Sequence, residues 1–524
     1  MVLPVIIGLG IIALFLKGCS PQGYVETKGK RYKAMGDEDG DGVKNIVDLC
    51  MFKKGPNSNS GCPVPVAYEK LKEGKYYEVT RPDGGPDKAT PPEKTQPDEA
   101  TKPETQPPKE TMPEKPNNCI NGTTPATKIW TKQVGSISDD RANSVAIDKS
   151  GNIYVTGYTE GSLNGNSNAG SKDIFLIKYD SSGNKIWTRQ IGSSSIDEAK
   201  SVATDKDGNI YITGYTQGGL DNNTNSGAFD IFLAKYDPSG NKLWVKQIGS
   251  EDSDVAFGIS IDSSGNIYIT GYTMGNLVGN QSTGSYNIFL IKHDSSGKNI
   301  WTRQFGSMSD DTSNNVALDG NGNIYLAGST RGDLDGNKNM GISDIFLTKR
   351  DFYGNRLWTK MLGSSYTDYG ESLAIGKSGN IYVTGFAGDD LGEKTYMGDG
   401  DIFLAKYDPS GNRLWTRMLG STAGDIAYGI TLDQNENIYL TGKTSGNLDG
   451  NKNTGNEDIF LVKYDPSGKK FWTKQIGSKD SDIASSVAID KSGNIYLSGY
   501  TNGALDGNAN IGAYDLFLMK FECN

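Results

Sequence analysis

Histidine is nearly missing from this chain: 524 residues contain one, His293. That leaves one residue to serve the Ser–His or Cys–His pairs behind most nucleophilic catalysis and nearly excludes them, because the nucleophile needs a base within hydrogen-bond reach. Cysteine is scarce, with five residues at positions 19, 50, 62, 119 and 523. Basic charge is outweighed, since 53 Lys and Arg against 63 Asp and Glu leave a formal net charge of −10. Nucleic acid is a poor partner for such a chain, because phosphates call for a concentrated basic face. The longest apolar run, residues 2–16, falls short of the roughly 20 residues that cross a bilayer as a helix. No helical periodicity runs through the C-terminal three-quarters.

Tryptophan outside one spacing is also absent. All seven stand at 130, 187, 244, 301, 358, 415 and 472, each 57 residues from the last. The stretch at residues 173–193 returns at 230–250, 344–364 and 458–478, and with changes elsewhere. Glycine, 68 of 524, is about twice its average usage, as a turn-rich all-β chain requires. Within one unit four strands are expected, at residues 201–205, 209–216, 230–236 and 243–248. They are rich in Ile, Val, Tyr, Phe and Trp and bounded by Gly, Asn, Asp and Ser. The second and third are apolar on both faces, so both faces should be covered.

Four strands per unit, buried sheet faces and seven units predict an all-β fold, a seven-bladed β-propeller over residues 118–524. The region opens with a fourth-type strand at 128–135 and ends with a third-type strand at 514–521. The N-terminal strand should therefore complete the last blade and close the ring. Cys119 and Cys523 lie just outside these two strands, where antiparallel pairing brings their ends together, and are expected to form a disulfide. Gly-Asn-Ile-Tyr-Val-Thr-Gly-Tyr-Thr at 151–159 and Asp-Ile-Phe-Leu-Ile-Lys-Tyr-Asp at 173–180 resemble the bacterial SBBP β-propeller repeat. The resemblance implies the fold and an extracytoplasmic setting, and no catalytic residue set.

The N-terminal part has a different composition. Residues 1–18 read as a signal peptide. Its end, Leu16-Lys17-Gly18-Cys19, resembles the lipobox of bacterial lipoproteins, with Lys17 as a departure. That resemblance implies acylation at Cys19 and a membrane partner reached through a lipid anchor, on the outer membrane and facing outward. An uncleaved anchor and plain secretion are the alternatives. Residues 19–35 would be a tether. Asp37, Asp39, Asp41, Val43, Asn45 and Asp48 have the spacing of a calcium loop: alternate oxygens converge on one hard cation, with Val43 lending its carbonyl. With Cys50 and Cys62, expected to pair, residues 36–63 resemble a thrombospondin type 3 repeat, although Met51-Phe52 replaces the usual proline. Calcium is the one cofactor expected, in a structural role, because so small a segment needs a metal and a disulfide to stay folded. An acidic turn cluster without metal is the other reading. Residues 64–81 carry no assignment. Residues 82–117, almost wholly Pro, Glu, Lys, Thr and Asp, should form an extended stalk or a polyproline ligand.

Function is expected on the propeller face that carries the long second-to-third loops. The same face has an aspartate at 140, 197, 254, 311, 368, 425 and 482, which in every blade should cap backbone N–H groups rather than bind a ligand. His293 stands where other units have Tyr179, Tyr236, Tyr407 and Tyr464, a packing substitution. One loop departs from the repeat: Asp389, Asp390, Glu393, Lys394, Tyr396 and Asp399 replace the usual Gly-Asn pattern, as a contact patch or as drift. The leading expectation is a monomeric, non-enzymatic surface lipoprotein that binds an extracellular protein or glycan. A carboxylate-dependent enzyme acting on polysaccharide or peptidoglycan and a structural envelope scaffold are the alternatives.

Overall fold

The computed structural model describes residues 124–392 and 396–523, together with the backbone of five short strands nearer the N-terminus. Cys19–Ser20, Tyr24–Thr27 and Lys30–Lys33 form a three-stranded antiparallel sheet, and Tyr68–Lys70 pairs with Tyr76–Glu78. The expected calcium ligands, Cys50, Cys62, the stalk and Cys119 lie outside the described residues, and only the backbone of Cys19 is described.

From Thr127 onward the chain folds into seven four-stranded antiparallel sheets. The first complete blade is Asp140–Ile147, Ile153–Thr159, Asp173–Tyr179 and Lys185–Ile191. Its second and third strands are buried at every position, because each sheet is sandwiched between two neighbours. Thr127–Val134 pairs with Asp515–Glu522, from Leu516↔Val134 to Glu522↔Thr127, and completes the seventh blade. The ring is thus closed by hydrogen bonds between the two ends of the domain, as the strand types predicted.

The first strand is longer than its sequence suggested. In the second blade it spans Asp197–Thr204 rather than 201–205. A one-residue bulge at Lys200 breaks its pairing with Ile210–Thr216, and a bulge destroys the period-two alternation by which a strand is read.

Blades are welded by a recurring cluster. Tyr154, Lys178 and Trp187 are cross-strand neighbours on one blade. The Trp187 ring covers Gly240 in the next blade's turn, where a Cβ would lie 2.8 Å from it. Lys178 Nζ donates to Pro238 O at 2.8 Å, and Arg189 Nε to Gly240 O at 2.7 Å, in that same turn. Gly240 has φ +81°, so the position demands glycine for both its dihedral and its closeness to the indole. Trp472 has no following turn. It packs at the seam with Ala126, Phe521 and Cys523 and is 6% exposed, whereas the other six are half-buried.

Candidate functional site

Two rings of buried aspartates pin the loop face. Those at 140, 197, 254, 311, 368, 425 and 482 open each first strand and are fully buried. Asp197 is typical: it accepts Ser193 N–H and Oγ–H at 2.6 and 2.8 Å, and the Thr216 hydroxyl. Burial pushes all seven carboxyls upward, and the neighbouring carboxylate on the preceding blade adds to this at Asp197. The second ring opens the third strand of six blades, the third blade having Asn287 there. Asp173 accepts Ala169 N–H at 2.8 Å and Asp401 accepts Met397 N–H at 2.9 Å, so each ties down its own long loop. A glycine after the fourth strand leaves room for it, since a Cβ at Gly192 would lie 2.1 Å from Asp173 Oδ1. In most blades a fourth-strand glutamine joins in, as Gln190 Nε2 does with Asp173 Oδ2 at 3.0 Å. Met418 stands in that place beside Asp401, whose carboxyl burial pushes up to about 6. Every aspartate of both rings gives its Oδ2 to the frame, while the Oδ1 of several, Asp401 among them, is buried without a hydrogen-bond partner among the described residues.

Loop-tip acids are spent similarly. Asp335 pairs with Arg356 at 2.8 Å and Asp449 with Lys470 at 2.5 Å, while Asp221 pairs with Lys242 and Asp506 with Lys128. His293 is 2% exposed, and burial lowers its imidazole to about 4. It is a packed core residue.

The seven first strands pack against one another around the axis, as Val202 N–H donating to Ser144 Oγ and Val145 N–H donating to Ser486 Oγ illustrate. Each carries the same bulge, and the extra residue is Asn143, Lys200, Phe257, Asn314, Glu371, Tyr428 or Ser485. Side chains in this ring reach across blades: Asn143 Nδ2 donates to Glu198 at 3.0 Å and Asn314 Nδ2 to Glu371 at 3.3 Å. In this column an otherwise strict repeat differs in nearly every copy.

At the loop end of this ring lies a belt of half-buried aromatic rings and charges. Tyr215 meets Phe229 at 5.1 Å, Tyr272 meets Tyr286 at 4.8 Å, and Tyr369 stacks on Phe386 at 6.1 Å. The Arg141 guanidinium lies 4.2 and 4.7 Å from the Tyr514 and Tyr500 rings, with Asp139 at 3.0 Å. Lys200 sits 2.5 Å from Glu198, which also accepts the Tyr215 hydroxyl at 2.6 Å. Burial acts to raise Glu198, but the Lys200 charge and these hydrogen bonds hold it below its ordinary value. Glu371 differs, for burial alone pushes it up to about 7. Sequence reasoning missed this belt because its partners come from different strands and, for Arg141, from different blades.

The divergent loop lies on the same face. Asp389 and Asp390 are half-buried, and their carboxylates accept Asp390 N–H at 2.7 Å and Gly392 N–H at 2.9 Å. Tyr396 is half-buried and Asp399 exposed, while Glu393 and Lys394 fall outside the described residues. The opposite face has tight turns and a hollow of about 470 Å³ lined by residues 261–264, 318–322 and Phe352. Its acids, Asp262 and Asp319, are already taken up by turn N–H groups.

Six stretches of the chain match the SBBP β-propeller repeat. They are residues 129–164, 186–221, 243–277, 300–335, 414–449 and 472–505, and the SBBP repeats therefore recur around the ring. An uncharacterized WD repeat-containing protein of Acanthamoeba polyphaga mimivirus is 23% identical over 73% of this chain and 36% of its own length. Regulatory protein FlaEY of Caulobacter vibrioides is 25% identical over 73% of this chain and 45% of its own length. The chain thus spans less than half the length of these curated relatives. Among solved structures, the Pan2 WD40 domain of Neurospora crassa has a TM-score of 0.44 at 9% identity, covering 75% of this chain and 96% of that domain. The WD40 propeller of Doa1 has a TM-score of 0.44 at 11% identity, covering 76% and 98%.

Proposed function

We propose that this SBBP-repeat propeller is a surface-tethered, non-catalytic binding protein whose loop face recognises an extracellular protein or glycan. One observation carries the reading: the frame repeats almost residue for residue, while the bulge ring and the belt above it change from blade to blade. A scaffold under no demand for recognition needs no such difference. Half-buried aromatics beside fixed polar groups are the composition of a recognition surface.

Carboxylate catalysis on a polysaccharide is supported less well. It needs two acids flanking one bond, one of them with a raised pKa. Glu371 has the raised pKa, but Asp139, Glu198 and Glu457 in the same belt are each held by a cation. The tether and its setting belong to the same proposal: acylation at Cys19 on the outer membrane, a calcium-bound loop at residues 37–48 closed by Cys50 with Cys62, and a stalk that holds a monomeric propeller clear of the lipid. A seam disulfide between Cys119 and Cys523 fits the register, since Cys523 directly follows the Glu522↔Thr127 pair and its sulfur is bonded rather than free.

The test is an array of glycans and matrix proteins probed with the full chain, in calcium and in chelator. Saturable binding to one class supports the proposal. Uniform silence in both conditions contradicts it.

A further inference from the structure

Around the axial mouth one chemical trio recurs: an aromatic ring, a carboxylate, and a cation held by both. Arg141 is held by Tyr500, Tyr514 and Asp139. Lys172 lies 3.8 Å over the Tyr158 ring and 4.0 Å from Glu160. Lys200 lies between Glu198 at 2.5 Å and the Tyr215 ring at 5.7 Å. In each case ring quadrupole and carboxylate together replace the water the cation has lost.

Among the described residues, the fifth blade has the ring and the carboxylate without the cation. Tyr369 stacks on Phe386, and two residues along the same strand the bulge presents Glu371. From the sixth blade comes Tyr428, whose hydroxyl is raised chiefly by burial and next by the Glu371 charge. From the fourth blade Asn314 donates hydrogen bonds to Glu371 Oε2 at 3.3 Å and to Gly370 O at 3.0 Å. Among the described residues no cation lies over Tyr369, Phe386 or Tyr428, and Glu371 makes no ion pair. A half-buried carboxylate with only an amide for company is costly to ionise, which is why burial moves it toward neutrality.

We propose that this vacancy seats a cationic side chain of a protein partner, a lysine ammonium or an arginine guanidinium, paired to Glu371 and lying against Tyr369, Phe386 and Tyr428. The proposal rests on the loop face being the binding face and selects the protein partner over the glycan. A sugar hydroxyl would give Glu371 a hydrogen bond but leave its charge in place, whereas a cation neutralises it and completes the trio that the first, second and seventh blades already have. The overall charge of −10 favours the approach of a basic partner.

Calorimetry on the full chain at pH 7, in two buffers of different ionisation enthalpy, tests this with n-butylammonium and Nα-acetyl-argininamide as probes. Because burial shifts Glu371 toward its protonated form, seating a cation should release a fraction of a proton per site. Glu371→Gln should abolish the release and weaken the probes on the order of tenfold. The amide keeps the Asn314 contact and removes an unpaired charge, so its melting temperature should not fall. Equal binding by the variant, binding without proton release, or no binding of either probe overturns the proposal. The same variant and an Asp389→Ala/Asp390→Ala pair are then compared on the partner found by the array. Loss with the loop pair alone overturns the cation seat and leaves the loop-face reading standing. A partner indifferent to both overturns the loop-face reading itself.

Discussion

Six of the seven turns between first and second strands are organised by an aspartate, and the seventh is not. Asp148 shows the ordinary arrangement: it accepts Ser150 N–H at 2.8 Å, Asn152 N–H at 2.9 Å, Asn152 Nδ2 at 2.7 Å and Tyr154 Oη at 2.9 Å. The fifth blade has Gly376 in that position. Its turn is held instead by Glu436 from the next blade, which accepts Ser378 N–H at 2.6 Å and Ser378 Oγ–H at 2.8 Å. Glu436 itself has φ +62°, where the other turns of its kind have glycine. The two departures are therefore one exchange. A Cβ at Gly376 would lie 2.6 Å from Glu436 Oε2, so Gly376→Asp alone drives one carboxylate into another and should cost about 2 kcal/mol. Glu436→Gly alone loses two exposed charge-assisted bonds and relieves a left-handed residue, effects of about 1–2 kcal/mol each that nearly cancel. The double variant regains the aspartate turn and should be at least as stable as the parent. A coupling of about 2–3 kcal/mol is then expected from urea unfolding followed by tryptophan fluorescence. Additivity within about 0.5 kcal/mol would refute the exchange.

Three further outcomes follow from the frame. Asp401 is pushed up to about 6 by burial, so the folded state holds its proton more tightly than the unfolded state does; that stability is complete below about pH 4 and is lost as pH rises through 6. Asp401→Asn, the residue the third blade already has as Asn287, should therefore stabilise by about 1 kcal/mol at pH 7.5 and by nothing at pH 4, read from melts at both. Trp244→Ala should cost about 2–3 kcal/mol and Trp472→Ala more, since Trp472 is 6% exposed; urea midpoints in the reverse order would contradict the seam packing. Non-reducing peptide mapping should link Cys119 to Cys523, and two free thiols there would remove the covalent seam.

Much of the fold was legible because it repeats. The third strand was readable to the residue, Asp230–Tyr236, since a continuous apolar run lies between a capping aspartate and a glycine turn. The first strand was not, because the bulge at Lys200 hides its alternation. The role of the repeated aspartates could be inferred from their recurrence, but their burial and mutual proximity needed the packed blades. The place of Arg141 in the aromatic belt left no local signal, for it meets Tyr500 only after the ring closes. One column could have been found from the sequence. Stepping by 57 residues from Asn143 gives Lys, Phe, Asn, Glu, Tyr and Ser, which with the column from Arg141 is the least repetitive of that strand.

Recognition through the loop face is tested most directly by comparing the two faces on the captured partner. Asp389→Ala/Asp390→Ala/Tyr396→Ala alters the loop face, and Phe352→Ala/Tyr353→Ala alters the turn face, where these rings are 45% and 65% exposed. Dissociation constants for both variants, each shown to melt with the parent, decide the matter. Loss of binding with the loop-face variant and parental affinity with the turn-face variant is the predicted result. The reverse pattern would contradict the account.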